Sequence, residues 1–566
     1  MLIQAFPPDP VVPHAGINRI SDLNEDILHL IFEHFELQPG SQTIAQTRKD
    51  LLSAAKTCKA FVEPALNSLW RVLPSLLPLL LLLPSAEVRN NHYVSPRPSL
   101  YLSRLSTYFI KFVDRLPLKN WERFDIHAPR VRSLYLEPLH MIISPHVYLR
   151  ICSLRHRDTP LLPGLKEIYT PDESLNTSLD FSSAMLLVSD SSLDSIHLGN
   201  SATSDHQFCI PFLFLLSVNS PNLTQLTLYG IVDISSSLEL VTRFRDLQSL
   251  DLRLSGTYLS SQFLQDLGNL DNLLDLTLDT TGSSSPTEFP TTRPPTNSTF
   301  IQLRKLHILG TPSSISRVLD DMRALMNLTT LLIHEKTDDL DLGRHTESSW
   351  KRCFGIISTF PAIENIQVTQ LEYSPRRNHC LSTSCFYPLY QLNNVTSFMI
   401  QNATLSGSDE DFRFLACAFP KMKKFVEPCA EYTEGKTLAC LFHFSQANRH
   451  LRELKISLAA LDISDNFKAI NAIGRPIVQD HQHPLESLHI TSNFGSLNVP
   501  DMIHVAQFLD LIFPNLSILK AYGSNTREAS TWTQIQQIRV ALQAARIKAS
   551  SATRISNEQG ENGILP

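Results

Sequence analysis

Residues 223–230 read LTQLTLYG and residues 247–254 read LQSLDLRL. In each, leucines stand at the first, fourth and sixth places: Leu223, Leu226 and Leu228, then Leu247, Leu250 and Leu252. Side chains alternate faces along a strand, so the last two leucines of each set share one face and the residue between them takes the other. A strand with so few inward residues buries too little to stand alone. The pattern has structural meaning only if copies recur and cover one another.

It does recur. Clear copies are Leu193-Ile196-Leu198, Leu273-Leu276-Leu278, Leu303-Leu306-Ile308, Leu328-Leu331-Ile333 and Ile363-Ile366-Val368. Val395-Phe398-Ile400, Leu451-Leu454-Ile456, Leu485-Leu488-Ile490 and Leu516-Leu519-Ala521 continue the series. Val131-Leu134-Leu136 and Leu165-Ile168 read as first members, and Met422 to Phe425 as a degenerate one. That is about fourteen strands, the span expected of a repeat array, with starts 24 to 35 residues apart. Between them Trp350–Phe360, Phe412–Phe419 and Met502–Phe513 read as helices, each stopped by a proline. A helix–turn–strand unit this small must stack, with parallel strands on a concave face and helices on the convex one. The pattern resembles the irregular leucine-rich repeats that follow F-boxes, particularly in mushroom-forming fungi. In that family an Asn three places after the last apolar residue often completes a backbone ladder. Here only Asn493 is an asparagine, and Ser201, Ser255, Thr281 and Thr311 are the expected substitutes.

Ahead of the array lies a second organised stretch, residues 20–73. Asp22 and Glu25 form a capping-box signature that predicts a helix from about Leu23, striped by Leu23, Ile27, Ile31 and Phe35 and widened by Leu28 and Phe32. Leu51, Leu52, Ala55 and Cys58 predict a second helix, and Glu63-Pro64 the start of a third carrying Leu66, Leu69, Trp70 and Leu73. A module of this size has too little interior to hide so wide a stripe, so part of it should meet a partner.

These residues resemble an F-box. Leu23-Asn24-Glu25-Asp26-Ile27-Leu28 stands at the family's start, Thr57-Cys58-Lys59-Ala60-Phe61 at its middle and Ser68-Leu69-Trp70-Arg71 at its end. Asn24 replaces the usual proline, Phe61 a frequent tryptophan, and the spacer from Glu36 to Asp50 is long. The two resemblances together imply an α/β fold: an N-terminal three-helix F-box followed by an irregular leucine-rich-repeat solenoid.

The expected organisation is a Pro-rich tail at 1–19, the F-box at 20–73, a helical linker at 74–128 and the repeat solenoid at 129–525. A Ser/Thr/Pro loop at 282–299 would interrupt the solenoid as a disordered insertion open to phosphorylation. A capping helix at 526–548, striped by Ile535, Ile538, Leu542 and Ala545, precedes a tail at 549–566 expected to be disordered. LLPLLLLL at 76–83 is the most apolar run, but its flanking prolines confine it to about half of the roughly 20 residues of a membrane span, so it reads as a buried hinge.

Composition narrows the function. Charged residues are 18% of the chain against an average of about 25%, and the net charge is −6, without a basic block. Nucleic acid is therefore not an expected partner, and neither is a membrane. The nine cysteines are scattered and contain no CxxC, which suits reduced thiols in the cytoplasm or nucleus. The first 19 residues lack the basic-then-apolar order of a signal peptide. No nucleophile elbow, HExxH, P-loop or dinucleotide turn is present, and the expectation is a non-enzyme with no catalytic residues, metal or cofactor. Asp480-His481-Gln482-His483 and the His379, Cys380 and Cys385 group read as loop residues rather than metal ligands.

On a repeat strand the residues beside the inward leucines form a reading surface. Tyr229, Arg253, Asp279, His307, His334, Lys455, His489 and Tyr522 occupy such places, a mixture of charge and aromatic rings that suits a protein ligand. The F-box resemblance implies a substrate-recognition subunit of an SCF-type (cullin-RING) ubiquitin ligase. Leu23, Ile27, Leu28, Ile31, Leu52, Leu69 and Trp70 would dock on the SKP-family adaptor and, through it, on cullin and the RING protein. The array would hold an unknown target for ubiquitin-dependent degradation. The alternative is a non-degradative leucine-rich-repeat scaffold, in which Leu23 and Ile27 would be buried by this chain.

Overall fold

The computed structural model describes residues 25–35, 44–83, 86–91, 107–112, 121–136, 141–143, 147, 151, 160–172, 193–231, 234–281, 300–322, 325–336, 347–370, 380–402, 404–427, 436–458, 483–492, 497–521 and 526–561. The expected tail at 1–19 and loop at 282–299 lie outside the described residues, as do Leu23, Asn493, Tyr522 and 562–566. The chain divides into two compact units, 1–202 with 214–220 and 203–213 with 221–566, so the expected solenoid at 129–525 is shared between them.

The first unit opens with three helices, α1 (Glu25–Glu33), α2 (Ile44–Thr57) and α3 (Lys59–Arg71). Phe32, Leu51 and Ala65 form their core, with Ala54, Ala55, Phe61 and Leu69 packed around it. The Phe32 ring meets Phe61 edge to face, centroids 5.5 Å apart. Sequence reading starts the third helix at Glu63-Pro64. It starts at Lys59 instead, because Cys58 is extended (φ −153°, ψ 159°) and breaks the chain there. Pro64 then lies buried within α3, removing one backbone bond near the helix start without stopping it.

β1 (Val72–Leu73) follows directly, and Leu76, Leu77, Leu79, Leu80 and Leu83 of the apolar run are buried. The segment expected as a helical linker is only partly helical. It contains β2 (Ala86–Asn91) and β3 (Thr107–Phe112), paired antiparallel, before a short helix Glu122–His127. Tyr108, Phe109 and Ile110 are aromatic or β-branched residues, which favour a strand over a helix. β4 (Ser133–Tyr135), β5 (Met141–Ile143), β6 (Glu167–Tyr169) and β7 (Ser195–Leu198) complete this unit. β1, β4, β6 and β7 pair in parallel in that order, while β5 joins β3.

The second unit is a stack of parallel strands. It begins with β8 (Gln225–Gly230), β9 (Ser249–Leu254), β10 (Asp275–Asp279), β11 (Lys305–Gly310), β12 (Thr330–Glu335) and β13 (Asn365–Gln370). β14 (Cys380–Ser382) pairs aside with β16 (Thr404–Ser406), and the main series resumes at β15 (Ser397–Gln401) and β17 (Lys424–Val426). β18 (Glu453–Leu458), β19 (Ser487–Ser492) and β20 (Ile518–Ala521) end it. Every motif identified from the leucine spacing coincides with a strand. The register aligns the motifs on one another: Leu226, Leu250, Leu276, Leu306, Leu331, Ile366, Phe398, Phe425, Leu454, Leu488 and Leu519 are successive partners. All are buried. This is a leucine-rich-repeat-like α/β arrangement.

Helices Glu347–Ile357, Asp409–Ala418 and Val499–Ile512 begin three residues before their expected starts. For the last two the reason is the cap, Ser408 and Asn498 accepting the backbone N–H of Asp411 and Asp501. Part of the backbone ladder is made by residues other than those expected. Buried Thr203 and Thr280 donate to the Tyr229 and Leu309 carbonyls at 2.9 Å, and Thr170 accepts from the Gly199 N–H at 2.7 Å. Ser255 instead binds Asp279, Thr281 binds Asp279, and Thr311 caps the helix Pro312–Asp321.

The degenerate repeat has its own solution. Met422 and Phe425 fill the first two apolar places, and the third falls on Glu427. Glu427 and Lys436 are both fully buried and form an ion pair, with the Lys436 Nζ 4.9 Å from the Phe412 ring centroid.

The last strand is covered by a helix running Thr526–Glu561, on which Trp532, Ile535 and Arg539 are buried and Ala545 is exposed. The Arg539 guanidinium bonds the Leu516 carbonyl. The expected boundary at 548 and disordered tail from 549 are therefore incorrect as far as Glu561: between Thr526 and Gly560 there is no proline or glycine to stop the helix. Among the described residues no helix is long and apolar enough to cross a membrane.

Candidate functional site

Two surfaces carry the residues singled out from the sequence, one in each unit. In the first, α1 turns Leu28 and Phe32 inward and leaves Ile27 and Ile31 each 46% exposed. Leu30, Phe35 and, on α2, Leu52 are also exposed. Leu23 lies outside the described residues. Leu28 and Trp70, expected to meet the adaptor, are instead buried, and Leu69 is partly buried. Leu69 packs against the α1–α3 core, and Trp70 is buried and stacked on His127 with centroids 4.5 Å apart. Burial and the neighbouring Arg130 lower the His127 pKa, which keeps that ring neutral against the indole. The sequence pattern could not separate the two sets, because a stripe this wide includes both the buried ridge and its flanks.

In the second unit the register sorts the expected surface residues into two rows. Asp251, Thr277, His307 and Leu332 are partners on the first, which continues through Gln367, Met399, Val426, Lys455, His489 and Lys520. Tyr229 pairs with Arg253, and Asp279, Leu309, His334, Thr369 and Gln401 follow one another on the second. His307 and His334 thus belong to different rows, yet their rings meet diagonally, His307 Nε2 being 3.0 Å from His334 Nδ1. Burial, then His334, Arg253 and Lys305, bring the His307 pKa down to about 4, and burial and Arg253 lower that of His334. At neutral pH both rings are uncharged and share a single hydrogen-bonding proton.

Around this pair the charges are matched. Arg253 makes a forked contact with Asp251 at 2.7 to 3.1 Å and lies 5.6 Å from the Tyr229 ring. Asp279 is buried, accepting from Ser255 at 2.8 Å and from Thr281, and Lys336 reaches Ser255 at 3.1 Å. Farther along, Lys424 and Lys455 both bind Glu453, at 2.9 and 3.2 Å, and His489 meets Ser487 at 3.0 Å. The face therefore offers oriented hydrogen-bonding groups and aromatic edges of mixed charge, suited to binding.

Sequence reading missed Asp251, Lys336, Lys424 and Glu453, and placed Ser255 in the backbone ladder rather than on this face. Asp251 sits between Leu250 and Leu252, where the rule used for His307 would have found it. Lys336 follows its strand, and only the fold brings it to Ser255. Among the described residues no group of three or more His, Cys, Asp or Glu could hold a metal ion. His483, from the Asp480–His483 stretch, is buried and donates from Nε2 to the Asn448 carbonyl at 3.0 Å, while its Nδ1 accepts the Leu485 N–H. Asp480, His481 and Gln482 lie outside the described residues, as does His379.

No protein-family model matches this chain, and no curated protein does. Among solved structures the chain is similar to a leucine-rich-repeat protein of Leptospira interrogans, at 14% identity and a TM-score of 0.31, over 65% of this chain and 75% of that one.

Proposed function

We propose that this chain is the substrate-recognition subunit of an SCF-type ubiquitin ligase, its N-terminal helices docking on a SKP-family adaptor and its strand face holding a target protein. The observation that carries the reading is the apolar exposure of Ile27, Leu30, Ile31 and Phe35 at α1 and Leu52 on α2, on helices whose Phe32, Leu51, Phe61 and Leu69 are packed together. Apolar side chains left in water together mark interaction surfaces. The F-box resemblance of residues 20–73 supplies the partner's identity. Catalysis would belong to the assembled ligase, and this chain's contribution would be proximity, raising the effective concentration of a target lysine near the ubiquitin thioester.

The scaffold reading expects Ile27 to be covered by its own chain, and the exposure of Ile27 speaks against it. The test is capture of the adaptor by the wild type and by an Ile27→Ala, Ile31→Ala, Leu52→Ala variant. These are surface positions, so the variant keeps its fold. Central apolar contacts typically cost more than about 1 kcal/mol each when truncated, and the expected result is at least a tenfold loss of affinity. A folded wild type that captures no adaptor would leave only the scaffold.

A further inference from the structure

The first unit holds an open cavity of about 720 Å³, walled by α1, α3 and the starts of β4 and β6. Its volume lies within the roughly 300–1,000 Å³ of small-molecule sites, and every lining residue except Pro129 carries a polar or charged side chain. Arg71, Arg132 and Lys166 each stand one residue before the register partners Val72, Ser133 and Glu167. Backbone bonds from Arg132 N–H to the Arg71 carbonyl, 2.9 Å, and from Lys166 N–H to the Arg132 carbonyl, 2.7 Å, hold the three side by side. Adjacent strands lie about 4.8 Å apart, so this is a ladder of three cations at the entries of β1, β4 and β6. Like charges placed opposite one another destabilise a sheet.

The ladder is neutralised unevenly. Lys166 has Asp194 at 3.3 Å, and Arg71 has only a distant contact with Glu33, 3.8 Å, between two largely exposed side chains. Arg132 has no carboxylate partner among the described residues, one bond to the Gly164 carbonyl at 3.2 Å engaging its guanidinium. Of its five N–H donors most remain unused. The wall behind is constructed rather than fluid: Arg130, nearly buried, is locked by Glu63 at 2.7 Å and by Asn67. Glu167 also lines the cavity but accepts the Ser133 hydroxyl at 2.7 Å.

We infer that this cavity binds a phosphate monoester group, gripped by the Arg132 and Arg71 guanidinium forks with Lys166 alongside. Guanidinium presents parallel donors that match phosphate oxygens, and an anion seated across the rungs would convert their mutual repulsion into attraction. The site is independent of adaptor docking. At 100° per residue, His29 and Glu33 reach the cavity from one side of the Leu28–Phe32 ridge, and Ile27 and Ile31 lie on the other.

The test is thermal unfolding and calorimetric titration of the full chain with inorganic phosphate, glucose 6-phosphate and a phosphoserine heptapeptide, at constant ionic strength set with chloride. The wild type should gain thermal stability with phosphate, and Arg132→Gln should weaken binding at least tenfold. Arg132→Gln without ligand should melt no lower than the wild type, because it relieves the ladder. Arg352→Gln, exposed in the other unit, should bind like the wild type. Tighter binding of the sugar phosphate or of the peptide would identify the phosphate's source. Equal phosphate binding by wild type and Arg132→Gln, or no binding by a folded wild type at tens of millimolar, would overturn the assignment.

Discussion

At the scale of single residues, Glu427 shows how a repeat tolerates a polar substitution in its core. A carboxylate in the third apolar place is costly unless a cation accompanies it, and Lys436 does, shielded by the Phe412 ring. Burial raises the Glu427 pKa and Lys436 opposes the rise. Lys436→Met alone strands the carboxylate and should cost about 3–5 kcal/mol, whereas Glu427→Leu with Lys436→Met should be near neutral or stabilising. Denaturant unfolding of the two single variants and the double variant would show this as strong non-additivity. His483 gives a pH signature. Burial brings its pKa down to about 4, below the roughly 6.5 of an unfolded histidine, so the unfolded chain binds the extra proton first. Its contribution is complete above pH 6.5 and is lost as pH falls toward 4. Between pH 7 and pH 4 the wild type should lose about 3 kcal/mol more stability than His483→Gln, measured by urea unfolding at each pH.

At the scale of elements, α1 carries three functions on one short helix: a buried ridge, an exposed apolar flank and a cavity wall. Its periodicity was legible in the sequence as a single stripe. Which residues of the stripe face inward depends on where α2 and α3 pack, and that placed Leu28 and Phe32 inside, as it did Trp70 on α3. Trp70→Ala should therefore lower stability by about 3–5 kcal/mol, as removal of a buried aromatic side chain does, rather than act on adaptor affinity alone. A thermal melt of the purified variant distinguishes the two. The C-terminal helix divides similarly. Its contacts run from Trp532 and Ile535 through the Arg539–Leu516 bond to Arg546, which pairs with Asp510 at 2.9 Å. Truncation after Lys548 should leave the melting temperature unchanged, while truncation before Thr526 should lower it by uncovering the last strand.

At the scale of the whole molecule, contacts in the strand stack run mainly between neighbours, so damage should stay local. Leu276→Ala should cost about 2–5 kcal/mol, and hydrogen exchange should show lost protection across β9–β11 with β18–β20 unaffected. The sequence by itself determined the strands, because a repeat that buries leucines at fixed places leaves a periodic trace even when one copy, Met422 to Phe425, is degenerate. It also determined the stacking, since no unit of this size hides both faces alone. Only the tertiary structure decided which polar residues meet. His307 and His334 lie on different rows, Lys336 reaches Ser255 across 81 residues, and Arg71, Arg132 and Lys166 become neighbours only once three strands are in register. Hydrophobic burial imposes a period that the chain displays in one dimension, whereas the meeting of side chains depends on register and packing between segments distant in sequence.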